Sequence, residues 1–332
     1  MNATVLNHVD GAIRIEPLPD GTRCLSIEPR PGLVATRPRW VTRYPQELIE
    51  EILAAKGLYV CDEIMREEDP RYVEHYLRHE VLSYVPAEAF AGRRVLDFGC
   101  GSGASTLVLS RLLPPCELVG IELEERLLRI ARLRAAHFGR ESVKFLRSPS
   151  GDRLPEGIGS FDYIIFSAVF EHLLPAERPV LLGRIWDHLE PGGALFLNQT
   201  PHRFSPYEAH TTGLPLINYF PPRITLYCAR RFSKRVARSA SWDRLLRDGI
   251  RGGTVREIRS ILGTGAELLA PSSAVGDRID LWYRSLSKRH AWFKRAIWAS
   301  LKGLKAVSRI ELAPSLALAM RKRAQARPSG RH

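Results

Sequence analysis

The stretch Val95-Leu96-Asp97-Phe98-Gly99-Cys100-Gly101-Ser102-Gly103 decides the fold of this 332-residue chain. A short apolar run that contains an acid is followed by three alternating glycines. Such glycines let the backbone turn sharply from a strand into a helix and approach a ligand closely. In a doubly wound sheet, ligands bind beyond the carboxyl ends of the strands, which is where Asp97 falls. The stretch therefore predicts the first strand, turn and helix of an α/β domain, with a ligand site at the turn.

A second acid narrows the class of ligand. Glu122 closes the next predicted strand, about 20 residues after the glycines, where it can accept hydrogen bonds from ribose hydroxyls. Asp97 would repel a pyrophosphate, but it can accept from a cationic amino group directly or through water. The spacing is G-x-G-x-G and not the G-x-G-x-x-G of dinucleotide folds. Two acids without a phosphate cradle favour adenosyl-methionine over a nicotinamide cofactor.

From residue 93 to residue 200, the sequence alternates between short apolar runs and amphipathic segments. Because short joints connect them, the pattern is typical of parallel βαβ units with helices on both faces of the sheet. We expect strands at residues 94–98, 117–121, 142–147, 161–167 and 194–200, and helices at 104–113, 124–138 and 176–189.

Four segments are predicted along the chain. Residues 1–90 form an extension with a β-hairpin (residues 12–16 and 22–28) and helices at 46–56 and 70–84. Residues 91–200 form the ligand-binding core. Residues 201–252 are rich in Pro, aromatics and Arg, and are expected to be an irregular lid. Residues 253–332 complete the sheet with a helix at 254–262, a strand at 266–270, basic helices within 277–307, and a run at 316–320 that returns to the sheet edge.

The positive charge is concentrated in the last third. The net charge is +13, and residues 229–332 hold 24 Lys and Arg against 7 Asp and Glu. Such basicity suits nucleic acid, an anionic membrane surface or a phosphorylated substrate, or it is a solvated surface. Within this segment, an apolar stripe at helical spacing is formed by Phe293, Ile297, Leu301 and Leu304, and Arg295 and Lys302 lie off it. The stripe either packs on the protein or lies on an anionic membrane surface.

Several motifs together resemble the class I S-adenosylmethionine-dependent methyltransferases. Besides 95–103 and Glu122, they are Phe161-Asp-Tyr-Ile-Ile165, Glu171-His-Leu173 and Leu189-Glu-Pro-Gly-Gly-Ala-Leu195, the last two typical of the small-molecule, type 11-like branch. The resemblance covers about a third of the chain. It implies a Rossmann-like fold and S-adenosylmethionine as cofactor, bound by Asp97, Gly99, Cys100, Gly101, Gly103, Glu122 and Leu123. The family's adenine-binding acid is replaced here by Ser150, so we expect Asp152 or a nearby backbone group to take that role.

Two histidines are candidates for the catalytic base that a hydroxyl, amine or acidic carbon acceptor requires. The resemblance places His172 opposite the transferred methyl group, and His210 lies in the predicted lid. Cys100 is expected to present its backbone N–H to the ligand and not to act as a nucleophile. Asp162 is expected to be structural, and no metal site is predicted.

The cysteines favour a reducing compartment. The five of them are odd in number and lack a C-x-x-C pair. The chain starts without a leader-like segment and has no apolar run of about 20 residues. We therefore expect a cytoplasmic protein, or one peripheral to the inner face of the membrane.

These observations predict methyl transfer to a small-molecule, glycan or lipid-linked acceptor. RNA or protein methylation, nicotinamide-dependent oxidoreduction and cofactor binding without catalysis stay as alternatives. Asn198-Gln-Thr-Pro201 differs from the Asn/Asp-Pro-Pro-aromatic motif of enzymes that methylate amino groups of bases, so an adenine target is disfavoured.

Overall fold

The computed structural model describes residues 3–33, 35–286 and 291–324. The N-terminal extension begins with a four-stranded antiparallel sheet whose strands pair in chain order: β1 (Thr4–His8), β2 (Gly11–Pro17), β3 (Arg23–Pro29) and β4 (Arg39–Thr42). Three helices follow: α1 (Gln46–Lys56), α2 (Val60–Glu68) and α3 (Val73–Glu80). The hairpin and the first helix were predicted, whereas β1, β4 and α2 were not. The second predicted helix, 70–84, is shortened to α3.

The central segment alternates strands and helices as expected. Its elements are β5 (Arg94–Phe98), α4 (Ala104–Leu112), β6 (Glu117–Glu122), α5 (Glu125–His137), β7 (Lys144–Arg147), β8 (Phe161–Ser167), α6 (Glu177–Asp187) and β9 (Leu189–Pro201). Strand β5 pairs in parallel with β6 on one side and β8 on the other. This arrangement brings the carboxyl ends of the three strands to one edge of the sheet.

The predicted lid is more regular than expected. Residues 201–252 contain the two-stranded β10 (Tyr207–Glu208) and β11 (Leu214–Pro215), then α7 (Pro222–Phe232) and α8 (Trp242–Arg247). The irregular assignment was wrong because Pro222 stands at a first-turn position that favours helix. Ser241 caps α8 by accepting a bond from the backbone of Arg244 at 3.1 Å.

The remaining elements complete the sheet. They are α9 (Val255–Leu262), β12 (Ala266–Leu268), α10 (Arg278–Ser285), α11 (Ala291–Ser308) and β13 (Ser315–Lys322). The seven strands lie in the order β12-β13-β9-β8-β5-β6-β7, with β13 antiparallel to both neighbours. The final apolar run does not form the sheet edge: it lies between β9 and β12. Leu318 and Ala319, which point to opposite faces of the sheet, are both fully buried there, as a strand covered on both faces requires.

Both faces of this sheet are covered by helices, which confirms the doubly wound fold. Apolar residues of α6 and α9 pack on one face, and those of α3, α4 and α5 pack on the other. The cleft that concerns function therefore opens at the carboxyl edge of the strands, where this type of sheet binds ligands.

The apolar stripe on α11 does not dock as a unit. Phe293 and Leu304 are exposed, and Ile297 and Leu301 are half-buried. Lys302 lies off this stripe, as expected, and its Nζ is 2.9 Å from Asp277 and 2.8 Å from Asp280. Among the described residues, no helix is long and apolar enough to cross a membrane.

Candidate functional site

In the glycine turn, residues 99–103, the first and last glycines are closely packed against neighbouring side chains, whereas the middle glycine borders open space. All three glycines have positive φ, +73°, +56° and +81°. A Cβ on Gly99 would lie 2.7 Å from Val169 Cγ2, and one on Gly103 would lie 2.7 Å from Ala131 Cβ. A Cβ on Gly101 would meet nothing within 4 Å. The backbone at Gly101 is therefore the part of the turn that a ligand can approach.

Glu122 fixes the wall next to the turn. One carboxylate oxygen accepts the Gly101 N–H at 3.0 Å, and the other accepts the Leu123 N–H at 2.6 Å and the Glu124 N–H at 3.2 Å. These bonds hold the carboxylate at the tip of β6, with the side chain of Leu123 44% exposed beside it. The carboxylate can accept hydrogen bonds from sugar hydroxyls, and the apolar side chain of Leu123 can pack on a flat base joined to that sugar.

Asp97 lies beneath the turn. It is 1% exposed, and its Oδ2 accepts hydrogen bonds from Ser105 Oγ and Thr106 Oγ1, both at 2.7 Å. Burial raises the pKa of this carboxyl above its ordinary value. Its visible role is to tie the first turn of α4 to the end of β5. The contact with a cofactor's amino group stays a prediction, and this burial makes a bridging water or a small shift of the turn necessary for it.

The expected role of Cys100 was wrong in one respect. Its backbone N–H donates to the Ile121 carbonyl at 2.9 Å, as does that of Gly99, so it does not face a ligand. Sequence alone could not reveal this, because the carbonyl comes from the neighbouring strand. Burial raises the pKa of the Cys100 thiol well above its usual range, which keeps the group neutral and unsuited to be a nucleophile.

A first cavity of about 970 Å³ opens beside Glu122. Its lining includes Leu123, Ser150, Asp152, His172 and Arg247. The hydrogen bond from Ser150 Oγ, at 2.8 Å, and the Arg184 guanidinium lower the pKa of Asp152. The residues predicted to contact sugar and base therefore do share one cavity.

A second cavity of about 460 Å³ adjoins the first through Gly99 and Ala168, which line both. Arg66, Tyr72 and Tyr76, from the N-terminal extension, form part of its wall. Sequence reasoning missed these three, because nothing in their local spacing indicates that α2 and α3 reach the glycine turn.

The far wall of the second cavity carries strained backbone. Ala168 and Gln199, at the ends of the neighbouring strands β8 and β9, have φ of +54° and +60° although neither is glycine. Such conformations cost about 1–3 kcal/mol and cluster at functional sites. Gln199 Nε2 donates to Glu80 at 2.6 Å, and burial raises the pKa of Glu80 to about 7. Beside them, Asn198 Oδ1 is buried with no hydrogen-bond partner among the described atoms.

The two predicted catalytic histidines lie together. The ring centroids of His172 and His210 are 5.5 Å apart, and His172 lines the first cavity while His210 lines the second. Fully buried Glu171, which the sequence analysis treated only as part of a motif, lies between them and Thr200. Burial raises the pKa of Glu171. We call Glu171, His172 and His210 the histidine cluster.

The residues of the cleft fit S-adenosylmethionine. Glu122 can accept from the sugar hydroxyls, Leu123 can pack on the base, and the open space at Gly101 admits the chain that joins them. Arg66, in the adjoining cavity, can pair with the carboxylate of the amino-acid end.

Comparisons with known proteins agree with this geometry. Residues 96–195 match a family model described as a methyltransferase domain. Trans-aconitate 2-methyltransferase of Deinococcus radiodurans is 32% identical over 116 residues, which cover 35% of this chain and 40% of that protein. Ubiquinone biosynthesis O-methyltransferase of Nitrosococcus oceani is 38% identical over 129 residues, which cover 37% and 52%.

The matches are confined to part of each protein, since the chain spans about half the length of these curated relatives. Among solved structures, an amino pentose methyltransferase from Micromonospora echinaspora with S-adenosylmethionine bound aligns at 24% identity and a TM-score of 0.29. That alignment covers 38% of this chain and 48% of the other. The N-terminal extension and the C-terminal helices lie outside the matched family model.

Proposed function

We propose, from the premise that residues 96–195 form a class I S-adenosylmethionine-dependent methyltransferase domain, that the chain transfers the cofactor's methyl group to an oxygen or nitrogen atom of a small-molecule, glycan or lipid-linked acceptor. The observation that carries the proposal is the continuity of the two cavities. The sugar-binding carboxylate of Glu122 lines the first cavity, the N-terminal extension lines the second, and the histidine cluster faces both. A donor and an acceptor can therefore lie side by side.

The chemistry divides simply between cofactor and protein. When bound, the cofactor supplies a methyl group on a positively charged sulfur, which leaves as a neutral thioether and keeps the electron pair of the broken C–S bond. The protein must align the acceptor's lone pair with that bond and exclude water, and such positioning contributes several kcal/mol. Asn198 and Gln199 can orient the acceptor from the end of β9.

The acceptor's proton has two candidate destinations. His172 Nδ1 lies 2.6 Å from the Arg247 carbonyl, so the neutral ring donates there and keeps its lone pair on Nε2. His210 offers a second imidazole on the side of the second cavity. Either can take a proton from a hydroxyl or amine, which is the base role predicted for both residues.

The class of acceptor is inferred from two features. The relative at 32% identity is named for methylation of trans-aconitate, and the relative at 38% identity is named for an O-methylation in ubiquinone biosynthesis. Both names indicate small-molecule acceptors. The second cavity, at about 460 Å³, is within the size range of small-molecule sites. RNA or protein as acceptor is supported only by the basic last third.

Calorimetry tests the cofactor part of the proposal. S-adenosylmethionine should bind at one site per chain, and NAD should not. Glu122→Ala should weaken binding by about 1.5–3 kcal/mol, roughly 10- to 150-fold, because charge-assisted bonds to the sugar are lost. Glu117→Ala is the matched control: it removes an acid from the opposite end of the same strand, where Glu117 pairs with Arg94 and Lys144. Equal affinities in both variants would put the site elsewhere.

A radiolabelled-methyl assay tests the transfer itself. The chain should label a component of a small-molecule, glycan or lipid fraction, and that label should disappear with Asn198→Ala while cofactor binding is retained. Labelling confined to RNA or protein fractions would reject the acceptor class and keep the enzyme assignment.

A lipid-linked acceptor is favoured by one further observation. Five large apolar side chains on and just after α11 are exposed, within a segment of high positive charge: Trp292, Phe293, Leu304, Val307 and Ile310. Such a helix can lie on an anionic membrane surface, and this would place the protein at the periphery of a membrane. Vesicles containing about 30% anionic lipid should sediment the chain at low salt and release it at high salt. Phe293→Asp should abolish sedimentation, and unchanged sedimentation would reject the membrane role.

A further inference from the structure

The histidine cluster has a geometry that a hydrogen-bonded dyad does not explain. His172 Nε2 and Glu171 Oε1 face each other at 3.8 Å, beyond hydrogen-bond distance. Because Nδ1 of His172 is committed to the Arg247 carbonyl, Nε2 of the neutral ring carries a lone pair. Oε1 of Glu171 is buried and has no hydrogen-bond partner among the described atoms. Two electron-rich atoms that face each other, one of them on a fully buried carboxylate, favour a positive charge between them.

The third member closes the arrangement. One ligand atom from each of Glu171, His172 and His210 belongs to a set whose members all lie within 4.8 Å of one another. Ligands about 2.0–2.2 Å from one metal ion lie about 3–4 Å apart, so a small rotation of a side chain brings the set to coordination distance. A proton would serve one pair of these atoms, whereas a metal ion serves all three.

The residues around the cluster hold it in the manner of a metal site. Histidine ligands usually donate their other ring N–H to a carbonyl or carboxylate, and ligating carboxylates are themselves hydrogen-bonded. His172 has the Arg247 carbonyl at 2.6 Å, and Glu171 Oε2 accepts from Thr200 Oγ1 at 2.8 Å. Both supporting bonds leave the inward-facing atoms free for an ion.

The lid loop is built to deliver His210. Glu208 accepts bonds from the backbone N–H groups of His210 and Thr211 at 2.8 Å, and from the Thr212 hydroxyl at 2.7 Å. Gly249 has φ of +93°, and a Cβ there would lie 2.7 Å from the His210 ring and 3.2 Å from Glu171 Cγ. A glycine at this point lets the ring approach the carboxylate.

We propose that Glu171, His172 and His210 bind one divalent first-row transition metal ion. Two imidazoles and one carboxylate suit Zn²⁺, Fe²⁺ or Co²⁺, whereas Mg²⁺ and Ca²⁺ prefer oxygen ligands throughout. Three protein ligands leave a coordination position open. No spacing in the sequence predicts this site, because His210 comes from the lid and the other two follow β8.

The ion would have a chemical use at this position. This step rests on the proposed function, and in it the ion replaces the histidines as the means of removing the acceptor's proton, because their ring lone pairs would be bound to the metal. His172 lines the first cavity and His210 the second, so an ion held by both lies at the junction where donor and acceptor meet. A hydroxyl of the acceptor on the open position would lose its proton to water more readily, since a bound metal ion lowers the pKa of its oxygen ligand. The oxygen lone pair would then attack the methyl carbon as the C–S bond breaks.

Metal titration tests the site without reference to methyl transfer. The full chain, stripped with a chelator and dialysed, should bind one Zn²⁺ by calorimetry, and Co²⁺ should give the visible absorption of a four- or five-coordinate complex. Glu171→Gln, His172→Ala and His210→Ala should each weaken Zn²⁺ binding more than 100-fold, because loss of a supporting residue alone costs 10- to 100-fold. Thermal unfolding should show that each variant is folded.

Two controls make the outcome unambiguous. His188→Ala removes a histidine that also contacts a backbone carbonyl, Gly159, but lies away from the cluster, and it should bind Zn²⁺ like the parent chain. Thr200→Val should weaken binding about 10- to 100-fold through the carboxylate alone. If the parent chain binds S-adenosylmethionine but no Zn²⁺, or if the three cluster variants keep its affinity, the metal proposal is wrong and the cluster holds a proton. If Zn²⁺ binds and S-adenosylmethionine does not, the proposed function fails and the metal site stands.

Discussion

The two walls of the cleft are built in different ways. The glycine wall, residues 97–103 and 120–124, comes from two adjacent strand ends, and hydrogen bonds between and within these ends fix it: the Gly101 and Leu123 N–H groups both donate to the Glu122 carboxylate. The lid wall combines the N-terminal extension, the ends of β8 and β9, the loop at 208–212 and α8. Its bonds join residues far apart in the chain, such as His172 with Arg247.

The difference largely follows the bounds of the matched family model. The glycine wall lies almost entirely within residues 96–195, the range that matches a family model. Much of the lid wall lies outside that range. Under the proposed function, the glycine wall binds the cofactor and can be local, whereas the lid wall meets the acceptor and is assembled by tertiary contacts. Three predictions test how far the two walls depend on each other.

The largest effect is expected at Arg134, which joins the glycine turn to the extension. Its buried guanidinium donates to Glu63 Oε1 at 3.2 Å and to the Ser102 carbonyl at 2.9 Å. Arg134→Met should reduce the free energy of unfolding by about 3–5 kcal/mol, because Glu63 is left as an uncompensated buried charge. Denaturant titration measures this. The double variant Arg134→Met, Glu63→Leu should recover most of the loss.

A surface pair provides the matched control. Arg129, on the same helix, also bridges to the extension, through Glu51 at 2.8 Å, but its side chain is 61% exposed. Arg129→Met should cost less than about 1 kcal/mol, since exposed ion pairs are weak. An equally small loss of stability in Arg134→Met would mean that burial of the Arg134 pair is unimportant and that the glycine wall is stable without the extension.

The second effect is a pH dependence at Glu80, which holds the strained Gln199 of the lid wall. Its pKa is raised to about 7, from 4.5 for an unperturbed side chain. Between these values the folded chain binds more protons at this site than the unfolded chain does, so stability falls as pH rises, by about 3 kcal/mol over the window. Glu80→Gln keeps a hydrogen-bonding group and removes the charge. It should therefore be more stable than the parent chain at about pH 8 by up to this amount, with little difference at about pH 4.5.

Denaturant titration at both pH values measures this. Glu74→Gln is the control, because Glu74 lies on the same helix and pairs with Arg78 at the surface. Its stability should follow the parent chain at both pH values. If the free energy of unfolding of Glu80→Gln changes with pH in the same way as that of the parent chain, the raised pKa of Glu80 is contradicted.

How far the sequence predicted each part follows the same division. The glycine turn, the strand tips at Asp97 and Glu122, and the doubly wound sheet were recoverable because periodicity and glycine spacing act within about 30 residues. The pairing of Cys100 N–H with the Ile121 carbonyl was not, because it depends on strand register. The lid helices were not predicted, because the Pro-rich composition of this segment was taken to indicate irregular structure, whereas Pro222 begins a helix. Glu171 could have been suspected as a buried acid beside a histidine, but its proximity to His210 could not.

The smallest effect is expected on α11, the element least tied to either wall. Burial alone would raise the pKa of Asp277, but the ammonium groups of Lys302 and Lys305 lower it, and these contacts dock α11 on α10. Asp277→Asn keeps a group able to cap α10 and removes the attraction. The cost should be about 1 kcal/mol or less, since the pair is partly exposed and screened. Hydrogen exchange should show faster exchange of α11 amides, with no change in β5 or β6.

Salt separates this docking from hydrophobic packing. Raising the salt concentration from about 0.05 to about 0.5 M shortens the screening length to a few ångström, so it should speed exchange of α11 in the parent chain and add little in Asp277→Asn. If α11 exchange in the parent chain is insensitive to salt, its half-buried Ile297 and Leu301 hold it and the ion pairs do not. The helix would then belong with the packed walls of the cleft, and its exposed apolar side chains would be less free to leave the protein for a membrane surface.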